Sequence, residues 1–278
     1  MEISCSVLIG NKLPWEQVLP AIAAAGCSRI NLATDDRGVY RLSDPGEIAR
    51  LAAEMRAVGL RVDWVHAHYN GGSAFFDIRP PFRAQSIASQ IHWLRAAAEL
   101  GARVMVYHPF YAFEFPDPAP PETFDLLRDA FAVIVREARR LGVRPAIENL
   151  QNSLANEYTD RLLDALPDLD FCLDAAHAEL AGNASRWLPR LGPRLAALHL
   201  HDNHGSTDDH LPPGLGRIDW TEWAVRLARV GYGEIWGIEA TPPEACDNPE
   251  ATTRTLAACM DVLRAARAAA EKTARAGD

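Results

Sequence analysis

Eight short apolar runs, each followed by a stretch patterned for a helix, recur along the whole chain. The runs span residues 3–9, 29–33, 61–66, 103–108, 144–149, 171–174, 195–202 and 234–240. Their near-continuous apolar character is that of strands buried on both faces. Residues 15–25, 45–58, 84–100, 121–141 and 220–230 carry apolar side chains at the three- and four-residue spacing of amphipathic helices. Glycine follows these helices at Gly26, Gly59, Gly101, Gly142 and Gly231, where a left-handed cap is expected. Such alternation builds an α/β fold, either an open doubly wound sheet or a closed barrel. No Gly-x-Gly-x-x-Gly follows the first run, and eight regular units in 278 residues suit closure. The expectation is therefore a single (β/α)8 TIM barrel domain over residues 1–278, its active site at the C-terminal ends of the strands. The proline-rich stretch 115–121 reads as a loop after the fourth strand. Residues 261–278 read as the last helix, with roughly the last ten residues a frayed tail.

Composition narrows the partners. Lys and Arg number 28 against 37 Asp and Glu, so the net charge of −9 argues against a surface built to grip nucleic acid or anionic lipid. No apolar stretch reaches the ~18 residues of a membrane span. The cysteines Cys5, Cys27, Cys172, Cys246 and Cys259 are odd in number and form no CxxC pair, which excludes a disulfide framework and a thiolate zinc site. The opening MEISCSVLIG has no signal-peptide pattern, and a reducing cytoplasm is expected.

Nine histidines are present, and only His92 falls in mid-helix. His66, His68, His108, His177, His199, His201, His204 and His210 fall at strand ends or in the loops that follow. In a barrel those ends converge on one face. Three carboxylates share the bias: Glu148 in AIENL, Asp174 in CLDAAH and Glu239 in GIEA. A carboxylate flanked by apolar residues is costly to bury unless it is paired or metal-bound. A salt bridge at the barrel rim would satisfy each one singly. Together, a His/Asp/Glu set without thiolate suits Zn²⁺, Mn²⁺ or Co²⁺. Asp174 and His177 stand at D-x-x-H spacing, and His199 and His201 are two apart on a strand and so face the same side. Asp208 and His210 form D-x-H in a loop stiffened by Pro212 and Pro213.

The segment HLHDNHGSTDDHLPPGLGRIDW, with CLDAAH and GIEA, resembles the sugar phosphate isomerase/epimerase group of xylose isomerase-like barrels. The same superfamily holds the metal-dependent apurinic endonucleases. The resemblance implies a divalent metal held by Glu148, Asp174, His199 and Glu239. It also implies catalysis by Glu148 and Glu239, one removing a proton beside a carbonyl and the other returning it on the opposite face. His177 would contact substrate, with His68, His201, His210 and Arg217 as further substrate-binding candidates. Where those epimerases often carry Arg just before LPPG, this chain has His210. Resemblance to the endonucleases adds His66, His108, His177, Asp208 and His210 as possible ligands, for one to three metal ions per chain.

Three functions follow as expectations. The first is a metal-dependent isomerase or epimerase acting on a small sugar, sugar phosphate or keto-polyol. The second is a multinuclear zinc phosphoesterase of the apurinic endonuclease type, with Arg37, Arg41, Arg79 and Arg83 as phosphate contacts. The third is a lyase or dehydratase using the same enediolate chemistry on a keto-sugar. Trp15, Trp64, Tyr69, Phe110 and Tyr111 could line a sugar pocket or pack the barrel rim. A homo-oligomer is expected from the family resemblance alone.

Overall fold

The computed structural model describes residues 1–33, 44–67, 75, 79–110, 120–184, 186–242 and 247–276. His68, Arg37, Arg41, Tyr69, Tyr111 and Cys246 lie outside them. The strands are β1 (Ile3–Ser6), β2 (Arg29–Ala33), β3 (Arg61–His66), β4 (Val104–Tyr107), β5 (Arg144–Glu148), β6 (Asp170–Asp174), β7 (Leu195–His199) and β8 (Trp236–Ile238). The helices are α1 (Trp15–Ala24), α2 (Pro45–Ala57), α3 (Pro80–Glu99), α4 (Thr123–Leu141), α5 (Ser153–Ala165), α6 (Ala175–Leu180), α7 (Leu188–Leu191), α8 (Trp220–Arg229) and α9 (Pro249–Ala276). All strands run parallel in the order β7-β6-β5-β4-β3-β2-β1-β8. The ring closes where Leu200, just past β7, bridges Ile238 of β8. Two backbone hydrogen bonds make that bridge, from Leu200 N to the Gly237 carbonyl (2.8 Å) and from Glu239 N to the Leu200 carbonyl (3.0 Å). The expected (β/α)8 TIM barrel is the fold observed.

Several boundaries moved for local reasons. The first run stops being a strand at Ser6, whose hydroxyl accepts from Leu8 N and caps a 3-10 turn over Val7–Gly10. The last helix begins at Pro249, well before residue 261, and continues to Ala276, through most of the expected tail. Asn248 starts it, its side chain accepting from Ala251 N. Asp44, Asn152 and Asp219 cap α2, α5 and α8 in the same way. The five glycines at helix ends all have positive φ, between 70° and 96°.

Period-two alternation along the strands explains what lies inside. Trp64, Val106, Ala146, Cys172 and Ala197 belong to one buried cluster enclosed by the barrel. Two residues after Trp64, Val106, Ala146, Cys172 and Ala197 come His66, His108, Glu148, Asp174 and His199, at the ends of the same strands or, for His108, one residue past β4. The inward face thus passes from apolar filling to ionisable side chains at the C-terminal mouth. The opposite mouth is closed by ion pairs. Arg103 donates to Asp63 (3.0 Å) and to the Ala196 carbonyl (2.9 Å), and pairs with Glu234. Arg144 pairs with Glu234 (3.0 Å) and Asp170 (2.9 Å).

Candidate metal centre at the C-terminal mouth

Glu148 ends β5, Asp174 ends β6, His199 ends β7 and Glu239 follows β8. All four are buried, and one ligand atom of each lies within 4.8 Å of the others. His199 Nδ1 stands 3.2 Å from Glu148 Oε1 and 2.9 Å from Glu239 Oε2. Beneath it the Trp64 indole lies with ring centroids 4.4 Å apart. Gly237 makes room for that indole, since a Cβ there would stand 2.8 Å from Trp64 Nε1 and 2.5 Å from the Leu198 carbonyl oxygen.

Two further sets adjoin this one. His66 Nε2, His108 Nε2 and Glu148 Oε2 form a triangle with edges of 3.2, 3.2 and 3.1 Å. On the other side, His177 Nε2 lies 3.0 Å from Asp208 Oδ2, and His210 Nε2 lies 3.4 Å from the same oxygen. His201 Nε2 is 2.9 Å from Asp174 Oδ2, and its ring stacks on His210 at 4.0 Å. Glu148 therefore faces two sets at once, with Oε2 towards His66 and His108 and Oε1 towards His199 and His177 (3.3 Å).

The second nitrogen of several rings is tied to a carbonyl. His66 Nδ1 bonds the Ala67 oxygen (2.8 Å), His177 Nδ1 the Asn149 oxygen (3.0 Å) and His210 Nδ1 the Glu239 oxygen (3.1 Å). Such bonds leave Nε2 as the ligating atom and fix the ring's direction. Asn149 also brackets Asp174, accepting from its N–H and donating to its carbonyl, both at 2.9 Å. His210 is the only non-glycine residue with positive φ (48°) among the described residues. That conformation costs ~1–3 kcal/mol and persists where the surroundings over-determine it.

Electrostatics favour cations here. Burial alone would raise the Glu148 pKa, but His199 and hydrogen bonds from His108 and His177 hold it well below the usual carboxylate range. Glu239, opposed in the same way by burial, is brought down to about 2 by His199. Burial works against charge on His199 and His177. The thiol of Cys172 with Glu148 and Glu239 raises the first well above its ordinary value, and Asp174, Asp208 and Glu148 raise the second. Burial lowers His108 despite Glu148 nearby. In the metal-free protein the buried carboxylates thus favour the protonated forms of His199 and His177. The donor set fits a divalent cation: neither ring nitrogen of His199 has a hydrogen bond of good geometry, although the ring is fully buried. The 3.1–3.2 Å edges of the His66–His108–Glu148 triangle match the ~3.3 Å between ligands of a tetrahedral ion bound at ~2.05 Å.

The remaining candidates are placed as follows. Arg217 is exposed and donates to the His204 carbonyl (3.4 Å). His201, read from sequence as a substrate contact, is fully buried against Asp174 and His210. Trp15 and Phe110 are buried. Arg79 lies over the Phe82 ring. Trp64, read from sequence as a pocket or rim aromatic, is fully buried beneath His199. Asn149 and Asp202 support the site without having been singled out; the signal was their place beside Glu148 and His201 at strand ends.

Fold and site together define a (β/α)8 barrel with a buried carboxylate–histidine centre at its C-terminal mouth. The sequence matches the family described as xylose isomerase-like TIM barrel over residues 19–263. The chain belongs to that family. An uncharacterized Methanocaldococcus jannaschii protein is 30% identical over 52% of this chain, and the match spans about half, 53%, of that relative's length. An uncharacterized Sinorhizobium fredii protein is 30% identical over 77% of each chain. Among solved structures, a D-tagatose 3-epimerase-like protein superposes with a TM-score of 0.75 at 21% identity, covering 95% of this chain and 99% of that one. The IolI protein with a bound zinc atom gives 0.77 at 18%, covering 95% and 99%. L-ribulose 3-epimerase gives 0.76 at 15%, covering 100% and 98%. At these identities the likeness is one of fold.

Proposed function

We propose that the protein is a divalent-metal-dependent isomerase or epimerase of a small sugar, sugar phosphate or keto-polyol. The observation that carries this reading is the placement of Glu148 and Glu239. They stand at the ends of different strands, lie 3.2 and 2.9 Å from His199 Nδ1, and are buried with an oxygen of each within 4.8 Å of Asp174. Two carboxylates on either side of one position can remove a proton from one face of a carbon and return it to the other. Glu148, Asp174, His199 and Glu239 would hold the metal, with Zn²⁺, Mn²⁺ and Co²⁺ all compatible with the donors. When bound, that ion supplies polarisation of a carbonyl and its neighbouring hydroxyl. Asn149 fixes the end of β6 and aims Asp174 and His177 together. Apolar packing beneath His199 excludes water from below. The epimerases among the structural neighbours and the zinc named with IolI support the reading.

The test is a keto-sugar panel in heavy water with metal-loaded protein. Deuterium should enter at one carbon next to the carbonyl, with inversion or carbonyl migration. Loss of water or carbon–carbon cleavage would instead make the protein a lyase or dehydratase. No exchange with any keto-sugar would refute the two-carboxylate mechanism.

A second reading is favoured by one observation, the two extra ligand sets at His66–His108–Glu148 and His177–Asp208–His210. If all are filled, both oxygens of Glu148 ligate and none is left as a base. The chemistry would then be hydrolysis of a phosphoester at a multinuclear zinc centre. Metal content separates the two: about one equivalent per chain supports the isomerase, and two or three support the hydrolase, for which abasic DNA is the first substrate to test.

A further inference from the structure

The loop that leads from β7 to α8 carries Asp208 and His210, and one buried side chain holds it at both ends. Asp202 is fully buried. Its Oδ1 accepts from Asn203 N (3.0 Å) and Ile218 N (3.0 Å), and its Oδ2 from Gly214 N (2.9 Å) and Trp220 Nε1 (3.1 Å). Its own backbone pairs with Leu211 in both directions, at 2.7 and 2.9 Å. Among the described residues the carboxylate has no ion pair, and four N–H donors surround it. The donors come from the start, the middle and the end of one loop. The packing leaves no slack, since a Cβ at Gly216 would stand 2.2 Å from Asp202 Oδ1.

We infer that Asp202 is a positioning residue that gathers residues 203–220 into the one arrangement in which Asp208 and His210 face His177. Between the tethered points the chain must pass through His210 in its left-handed conformation. The Asp202–Leu211 pair fixes the next residue, and the His210 carbonyl accepts from Thr241 N (2.9 Å). Without the Asp202 carboxylate nothing collects the four donors, and the loop segment carrying Asp208 is held only through the backbone bonds at Leu211 and His210. For the zinc readout alone, the inference rests on the second reading above, in which the His177–Asp208–His210 set takes a cation of its own; the loop-exchange readout is independent of it.

The test is a double-mutant cycle with zinc alone as probe, and hydrogen exchange as a second readout. Asp202→Asn turns one acceptor oxygen into an N–H donor facing N–H donors. In metal-free protein, exchange across residues 203–217 should rise at least tenfold, with the strand amides unchanged. One zinc equivalent should bind at least tenfold more weakly in Asp202→Asn. Asp208→Ala should lose that same equivalent, and Asp202→Asn added to Asp208→Ala should lose nothing more. A merely structural defect would instead weaken every equivalent and add to the loss in Asp208→Ala. Unchanged loop exchange in Asp202→Asn overturns the positioning role. A wild-type protein that binds one equivalent only, while loop exchange still rises in the variant, overturns the cation reading and leaves the positioning role standing. If Asp202→Asn does not fold, Trp220→Phe removes one of the four donors and should raise exchange in the same segment by a smaller factor; no rise there overturns the inference.

Discussion

Gly237→Ala tests how far the packing beneath the metal centre controls it. The added Cβ would stand 2.5 Å from the Leu198 carbonyl oxygen, 2.8 Å from Trp64 Nε1 and 3.3 Å from Ser4 Oγ. The first contact is backbone, and it is held because Leu200 N donates to the Gly237 carbonyl two residues further on. The indole is fully buried in one cluster with Val104, Val106 and Cys172. Overpacking of this kind costs ~1–3 kcal/mol, with a backbone contact at the upper end. A chain of this size loses roughly 2–4 °C of Tm per kcal/mol, so the expected fall is about 2–12 °C by calorimetry. The push on Trp64 also reaches His199, whose ring lies 4.4 Å from the indole. Zinc affinity should fall by about 10- to 100-fold, the range for disturbed ligand support. Gly233→Ala is the control: nothing lies within 4 Å of its Cβ, and stability should stay within ~0.5 kcal/mol. A Gly237→Ala protein with wild-type Tm and zinc affinity would show that β8 and Trp64 yield, and the claim that they fix His199 would fail.

Glu239→Gln should lower turnover by about 10²–10⁴-fold in a coupled or isotope-exchange assay, because it removes a base and a ligand charge together. His66→Ala and His108→Ala should each leave about one metal equivalent by elemental analysis and reduce turnover less than Glu239→Gln. Loss of an equivalent in either would establish the multinuclear reading. Zinc binding to metal-free protein should release protons, measured by calorimetry in buffers of different ionisation enthalpy. The pKa values of His177 and His199 are raised, so their protonated forms stabilise the metal-free fold below pH ~6.5, and that contribution is lost as pH rises through the raised values. Zinc needs the deprotonated rings, so its affinity should increase with pH over the same window. His92, exposed on α3 against Trp93, should be replaceable by Ala without change in metal content or turnover.

The barrel was legible because its strands are short, apolar and regularly spaced, and because five glycines mark helix ends. Residues 7–9 were misread as strand because apolar content does not reveal a cap: Ser6 accepting from Leu8 N is what turns the chain. The last helix was read as starting too late because Thr252 and Thr253 interrupt its apolar pattern, yet Thr253 Oγ1 bonds the Ala21 carbonyl (3.1 Å) and docks the helix on α1. At the site, residues at strand ends were found by type, since a carboxylate or imidazole in an apolar run stands out. Asp202 ends the expected run 195–202, yet nothing near it in sequence showed that it holds a loop. Its role depends on donors up to 18 residues away, and no short-range pattern announces them. The placement of His201 against Asp174 likewise follows from the β6–β7 register, which pairs Asp174 with His199.

The bridge at Leu200 has a mechanical consequence. Every other seam of the barrel is a ladder of at least three paired residues, whereas β7 and β8 meet at one. Like the gap in a split ring, this seam is where the cylinder breathes with least loss of hydrogen bonding. His199 stands on one lip and Glu239 on the other, one residue from the bridge on either strand. On the proposed function, an ion held by both would act as a clasp, so that loading the centre and locking the cylinder would be the same event.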